Sequence, residues 1–391
     1  MNVVFLSPHF PPQYHRFCAG LKQMGANVLG IGDIFYEALP ADVQAALTDY
    51  YRLDDLHDYD ALVRACGFFT HRYGKIDRFE SLNEYWLDTE ARIRDDFNVV
   101  GIRRQTIDAV RRKSKMKEIF RQAGVPTARG RVVPDLAAAR ALVRETGYPI
   151  VIKPDAGVGA LNTFKIEDDR VLERFFENPP ASSCIAEEFI KGGLYSFDGL
   201  TDRDGRPVFY TAHYFSQGIM ETVNEGRHVY YHSLRDIPAL LEAAGRACLD
   251  AFAVTERFFH IEFFRTGQEK YVALEVNMRP PGGFTTDMFN WANDIDIYRL
   301  WAELLTTGRV GAAEFRRPYH CCYASRRNHL NYAHSHEDIL KHHGQRIVQI
   351  ESVPDVFRTA LGDTAYIFRS PELDAVRRTQ RYIQALQGDG E

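Results

Sequence analysis

Residues 271–283, YVALEVNMRPPGG, constrain this chain more than any other stretch. The apolar run reads as a strand that delivers Glu275, Asn277 and Arg279 at alternate positions. Side chains at i, i+2 and i+4 of a strand share one face. A carboxylate, an amide oxygen and a guanidinium therefore point into one space. Residues 259–264, FHIEFF, read as a second apolar strand carrying Glu262. A turn at Thr266-Gly267-Gln268 folds the two into a hairpin with Glu262 beside Glu275. Paired carboxylates repel unless a cation joins them. Carboxylate and amide oxygens are the donors Mg²⁺ prefers, and Mg²⁺ commonly shares its shell with substrate phosphates. A guanidinium beside them suits a phosphate or a developing oxyanion. The bland alternative is a solvated surface hairpin; the apolar flanks and the ExNxRPPGG spacing weigh against it.

At 391 residues the chain has room for two or three domains. A hydrophobic fraction of 45% and a charged fraction of 26% are ordinary for a globular protein. A net charge of −5 gives no electrostatic case for nucleic acid or a membrane surface as partner. No apolar run reaches the roughly 18 residues of a membrane span. The opening MNVVFLSPHFPP lacks the basic start and small-residue site of a signal peptide and reads as a first strand. The six cysteines show no CxxC or CxxH spacing, which predicts reduced thiols in a cytoplasmic protein.

Strand and helix patterns alternate over the first hundred residues. A strand at 2–6, a helix at 13–24 and a strand at 27–31 predict a parallel sheet with helices on its faces. No GxGxxG follows the first strand, which argues against a dinucleotide site there. Residues 82–96 and 104–123 read as helices, the second stopped by Gly124. A helix at 135–146 and strands at 148–153, 163–166 and 184–190 follow, with a helix at 171–176 between the last two. Residues 284–305 read as helical, with Trp291, Tyr298 and Trp301 as core. Strands at 320–325, 346–350 and 364–369 and a helix at 373–386 close the chain.

Four further stretches stand in order around the opening motif. Lys113 and Lys117 lie one helical turn apart, before Ala123-Gly124-Val125-Pro126. Lys153 ends an apolar strand, where a buried ammonium needs an anionic partner. Gly157 and Gly159 in the following loop permit close backbone approach to phosphate. Glu187, Glu188, Phe189 and Ile190 end the next strand. With Glu262 and the ExNxRPPGG run, these stretches resemble the ATP-grasp enzymes, over roughly residues 104–305.

The resemblance implies an α/β fold whose small lid is α+β: a Rossmann-like pre-ATP-grasp domain at 1–103, an ATP-grasp domain at 104–310 with a lid near 125–187, and a C-terminal subdomain at 311–391. It implies ATP contacts from Lys113, Lys153, Gly157, Gly159, Glu187, Glu188, Phe189 and Ile190. It implies Glu262, Glu275 and Asn277 as ligands of Mg²⁺, two ions with Mn²⁺ able to replace them. Arg279 and Lys153 are the expected catalytic groups, Arg279 holding a substrate carboxylate and the oxyanion that follows. Gly282 and Gly283 turn the chain beside the substrate, and His213, Arg227 and His232 are candidate substrate contacts in the segment that follows the hinge. Two departures stand out: Arg112 occupies a position where the family often has Asp, and Leu194 one where it often has a ribose-binding Glu, with Asp198 as substitute.

The activity implied is an ADP-forming ligase joining a small carboxylate, an amino acid or similar acid, to an amine through an acyl phosphate. Its partners are small molecules, with a homodimer as the assembly common among such enzymes. A bicarbonate-using carboxylase and a nucleotide binder without turnover are the alternatives.

Overall fold

The computed structural model describes residues 1–157, 162–216, 218, 226–267, 270–311 and 315–388. Three sheets organise them. The first is four-stranded and parallel, in the order β3-β2-β1-β4. Its strands are β1 (Asn2–Leu6), β2 (Asn27–Gly32), β3 (Asp49–Arg52) and β4 (Arg78–Glu80). The β1 burial pattern is continuous, as expected of a parallel strand covered on both faces. Helix His15–Gln23 packs Phe17 against Phe258, Tyr298 and Trp301, all buried. Burying each such ring contributes about 1.5–3 kcal/mol. That cluster therefore ties the first sheet to the rest of the chain.

The second sheet is small and antiparallel, in the order β5-β8-β6-β7. It comprises β5 (Gly130–Val132), β6 (Ile150–Pro154), β7 (Phe164–Ile166) and β8 (Cys184–Glu188). Helices Leu136–Thr146 and Asp169–Glu177 cover one face; the side chains of Asp135 and Asp168 cap them by accepting from the N–H groups of Ala138 and Val171.

The third sheet has eight strands in the order β13-β12-β9-β10-β11-β14-β16-β15. They are β9 (Gly193–Thr201), β10 (Pro207–Phe215), β11 (Tyr230–Ser233), β12 (Phe258–Thr266), β13 (Lys270–Asn277), β14 (His320–Arg326), β15 (Ile347–Ser352) and β16 (Thr364–Ser370). The last three strands thus extend the sheet that carries Glu262 and Glu275.

Three expected helices are divided. The stretch 104–123 forms Arg104–Arg111 and Lys113–Gln122, broken where Arg112 turns extended (φ −97°, ψ 117°) and bridges Ala156. The stretch 82–96 starts as a helix only at Leu87, after a 3₁₀ turn at Glu84–Trp86, because Leu82 is left-handed at φ 56°. The stretch 284–305 forms Thr285–Asn293 and Ile297–Thr307, separated by left-handed Asp294, and Asp296 caps the second. Tyr298 and Trp301 are core as expected; Trp291 is only partly buried, its indole N–H donating to Gln349. Helices Tyr59–Tyr73 and Ala239–Ala251 and strand β9 were not anticipated.

Candidate active site

Antiparallel pairing sets Glu262 directly opposite Glu275, and His260 opposite Asn277. Opposed residues share a face, so the two carboxylates stand side by side. A bulge follows Glu262, between it and Phe263. The Asn277 amide N–H donates to Glu275 Oε1 at 3.3 Å, and Lys113 Nζ lies 3.5 Å from Glu275 Oε2. Burial would raise the Glu275 pKa; Lys113, Lys153 and the Asn277 bond outweigh it and bring it down to about 2.

Lys113 reaches this place because the helix break puts it at the first position of its helix. Asp155, just beyond β6, caps that helix. Its backbone oxygen accepts from Lys113 N–H at 2.8 Å, and its carboxylate from Ser114 N–H at 2.8 Å and Ser114 Oγ–H at 2.9 Å. Arg112 pairs with Asp108 at 3.1 Å and approaches Asp155 at 3.6 Å, which accounts for an arginine at this position.

Lys153 and Glu187 are diagonal neighbours on one face of the β6–β8 pair. Lys153 Nζ lies 2.8 Å from Glu187 Oε2, and Lys117 Nζ 2.9 Å from Oε1. All three side chains are buried. Burial works against the Lys153 charge, but Glu187, Glu275 and Glu262 together raise its pKa. Burial likewise works against the Glu187 charge, and Lys153 and Lys117 bring that carboxyl down to about 2. The result is a desolvated cluster of two cations on one anion, facing a second anion pair.

The donor set fits the expected cation. Among the described residues no three His, Cys, Asp or Glu side chains form a closed cage. Two carboxylates and one amide are the partial shell that Mg²⁺ takes when phosphates complete it.

Residues 110–283 match the ATP-grasp domain family. Over 267 residues the chain is 24% identical to the L-arginine-specific L-amino acid ligase of Bacillus subtilis, covering 64% of each protein. It is 27% identical over 199 residues to the alanine–anticapsin ligase of the same organism, covering 45% of this chain and 41% of that one. The alignments thus span less than two thirds of these relatives. The fold is similar to the crystal structure of an L-amino acid ligase from Bacillus licheniformis, with a TM-score of 0.73 at 16% identity over 97% of this chain and 96% of that one.

The chain carries an ATP-grasp domain.

Within the ATP-grasp domain the remaining expected residues fall into two groups. Arg279 stays near the carboxylate pair, but its fork is already engaged. Nε and Nη2 donate to Glu84 Oε2 at 3.2 and 3.0 Å, and Nη1 donates to Pro280 O at 2.9 Å. Burial opposes its charge, while Glu84 leads the groups that raise its pKa. Gly283 sits at φ 61°, where a Cβ would approach Leu361 to 3.0 Å, and its oxygen accepts from Gln13 at 2.6 Å; Gly282 borders open space. Gly157 is unconstrained by its neighbours, and Gly159, like Gln268, lies outside the described residues. Glu188 accepts from the Arg129 N–H and guanidinium, its own N–H donates to Arg129 O, and Phe189 N–H donates to Pro149 O at 3.3 Å. Ile190 follows directly, beyond the end of β8.

Strand register places the candidate substrate contacts His213 and His232 apart. His213 pairs with Ser233 and Tyr214 with His232, so the two histidines lie on opposite faces of the sheet. His213 is fully buried, its Nδ1 2.7 Å from Asp198 Oδ2. His232 is buried on the other side and its pKa is pushed down to about 4, chiefly by desolvation. Arg227 precedes β11, and its backbone oxygen accepts from Arg327 Nε at 2.6 Å. Asp198 is corrected as a ribose substitute. It is wholly buried, with Ser196 Oγ at 2.5 Å and His213 and His260 on either side. That face of the sheet also holds His260, whose Nε2 is 3.6 Å from Glu262. Burial would lower the His260 pKa; Asp198 reverses that and lifts it to about 10. Sequence reading missed Glu84, Asp155 and His260 as members of the site. Only His260 carried a signal, its place two residues before Glu262 on the same strand.

Proposed function

We propose that the chain is an ADP-forming ligase that joins an amino acid, through its carboxylate, to an amine. The observation that carries the reading is the opposed Glu262–Glu275 pair facing Lys113 and Lys153, an arrangement suited to a metal–phosphate substrate. The two relatives named as amino-acid ligases support amino acids as the substrate class.

In this reading Lys113 and Lys153 bind the phosphates of ATP and displace their present carboxylate partners. Glu262, Glu275 and Asn277 would hold Mg²⁺, as two ions with Mn²⁺ able to substitute, and the cation would supply charge neutralisation for phosphoryl transfer. The substrate carboxylate oxygen attacks the γ-phosphorus, the bond to ADP breaks, and an acyl phosphate forms. The amine nitrogen then attacks the acyl carbon, the carbon–oxygen bond to phosphate breaks, and the amine loses a proton. Arg279 faces the oxyanion that develops between these two bond changes. The β5–β8 sheet excludes water, which would otherwise hydrolyse the acyl phosphate. The six cysteines are all buried free thiols, which suits a reducing cytoplasm. Among the described residues no helix is long and apolar enough to cross a membrane.

ADP release from MgATP, measured against pools of amino acids with mass spectrometry of the products, tests the reading. The expected result is ADP that depends on both acid and amine, with a product mass equal to the two substrates minus water. ADP stimulated by bicarbonate alone, or ATP bound with no ADP under any acceptor, would overturn it.

A further inference from the structure

Met278 stands between Asn277 and Arg279, so its backbone fixes the spacing of an expected metal ligand and an expected oxyanion group. Its carbonyl accepts from Arg257 Nε at 2.8 Å, a fully buried bond. Arg257 lies immediately before β12, and its Nη2 donates to Glu90 Oε2 at 3.0 Å and lies 3.8 Å from Glu80 Oε2. Both acids belong to the N-terminal part of the chain. Arg94 ties them together, its Nη2 donating to Glu90 at 2.7 Å, Glu80 at 3.0 Å and Phe79 O at 2.7 Å. Ser81 N–H completes the Glu90 carboxylate at 2.7 Å. Arg94 and Glu90 are fully buried, and Gly101 leaves the space that Arg94 fills, since a Cβ there would meet Arg94 Nε at 2.6 Å. The same N-terminal segment sends Glu84 to Arg279.

We infer that Arg257 is a positioning residue that transmits the geometry of the buried Glu80–Glu90–Arg94 cluster to the Met278 carbonyl, and so sets Asn277 and Arg279. An arginine suits the task better than a lysine. Its planar fork donates along two directions at once, here one to a carboxylate and one to a carbonyl. The N-terminal unit then takes part in the chemistry without touching a substrate.

The inference rests on the ligase reading through Asn277 and Arg279, and two readouts separate them. Arg257→Lys keeps a charge for Glu90 and loses the fork. The expected result is a folded protein whose ADP complex binds Mn²⁺ about tenfold more weakly by electron paramagnetic resonance, with kcat lowered about tenfold or more. Arg78→Gln is the control: Arg78 pairs with Glu256 across the same two units, away from Met278, at 3.2 Å. It should lower the unfolding temperature and leave both readouts unchanged. Wild-type protein that turns over no acid–amine pair, with Mn²⁺ binding still weakened by Arg257→Lys, would sink the ligase reading and keep the inference. If Arg257→Lys does not fold, Glu90→Gln loosens the other end of the same link and should shift both readouts in the same direction. A folded variant of either kind with wild-type Mn²⁺ affinity and kcat overturns the inference.

Discussion

In the small sheet, Lys117 and Lys153 share the one carboxylate of Glu187. Between the first and third sheets, Arg94 and Arg257 face the two carboxylates of Glu80 and Glu90. Both clusters are buried and built from close ion pairs, yet they balance differently. The arginine cluster is neutral and also donates to the carbonyls of Phe79 and Met278. The lysine cluster carries an excess cation in a desolvated place and opens toward Glu275 and Glu262. Desolvating an ion costs several kcal/mol unless partners compensate. On the proposed function, the balanced cluster holds the two parts of the chain in register and the unbalanced one is the place to receive an anion.

The sharpest way to break this contrast is to remove the acid opposite the lysines. Glu275→Ala should lower turnover on the order of 10³-fold, because the metal–phosphate arrangement loses a principal ligand. The secondary structure should persist, since Glu275 contributes to a site and not to the core. ADP release together with circular dichroism checks both halves, and near-full turnover would remove Glu275 from the metal site.

The neutral cluster should fail differently. Glu90→Ala removes one of the two carboxylates that the buried guanidinium groups of Arg94 and Arg257 share. Breaking such a pair destabilises by about 3–5 kcal/mol, read as a drop in the urea unfolding midpoint. A loss under about 1 kcal/mol would show that the cluster is not the strut that its burial indicates.

How far the sequence foretold this contrast follows from chain distance. The Glu262–Glu275 pairing was legible because both residues lie on adjacent strands of one hairpin, where alternation alone decides the face. Lys153 was legible because a lysine ending an apolar strand demands a partner. Glu84 was not, since it meets Arg279 across 195 residues and no local pattern marks it. The break at Arg112 was hidden too. Helical periodicity runs through it, and the cap that starts the second helix is Asp155, 41 residues from Ser114. The opposite facing of His213 and His232 required the register of β10 on β11, which a loop of unknown length could have shifted by one.

Glu187 offers a test through pH. Its folded pKa, about 2, lies below the ordinary carboxyl value of 4.5. A depressed carboxyl contributes stability that is fully present above its unfolded pKa and is lost as pH falls through the folded one. Wild-type protein should therefore lose stability between pH 4.5 and 2, of which this group supplies about 3 kcal/mol by linkage. Glu187→Gln should be less stable than wild type at pH 7, with the gap closing as the pH approaches 2. Urea midpoints of both proteins across this range check it; a constant gap would mean that Glu187 does not hold its charge against the two lysines.

Lys153→Ala gives the smallest expected effect and the finest discrimination. It removes the excess cation and leaves Lys117 paired with Glu187 at 2.9 Å, so the lysine cluster becomes as balanced as the arginine one. If imbalance marks a receiving site, the substitution should cost less stability than Glu90→Ala, because Lys117 still holds Glu187, and should weaken MgATP binding about tenfold. Calorimetric titration of MgATP and a urea unfolding curve read the two quantities separately. Unchanged ATP affinity with a large loss of stability would place Lys153 with the arginines as architecture and would undo the distinction between the two clusters.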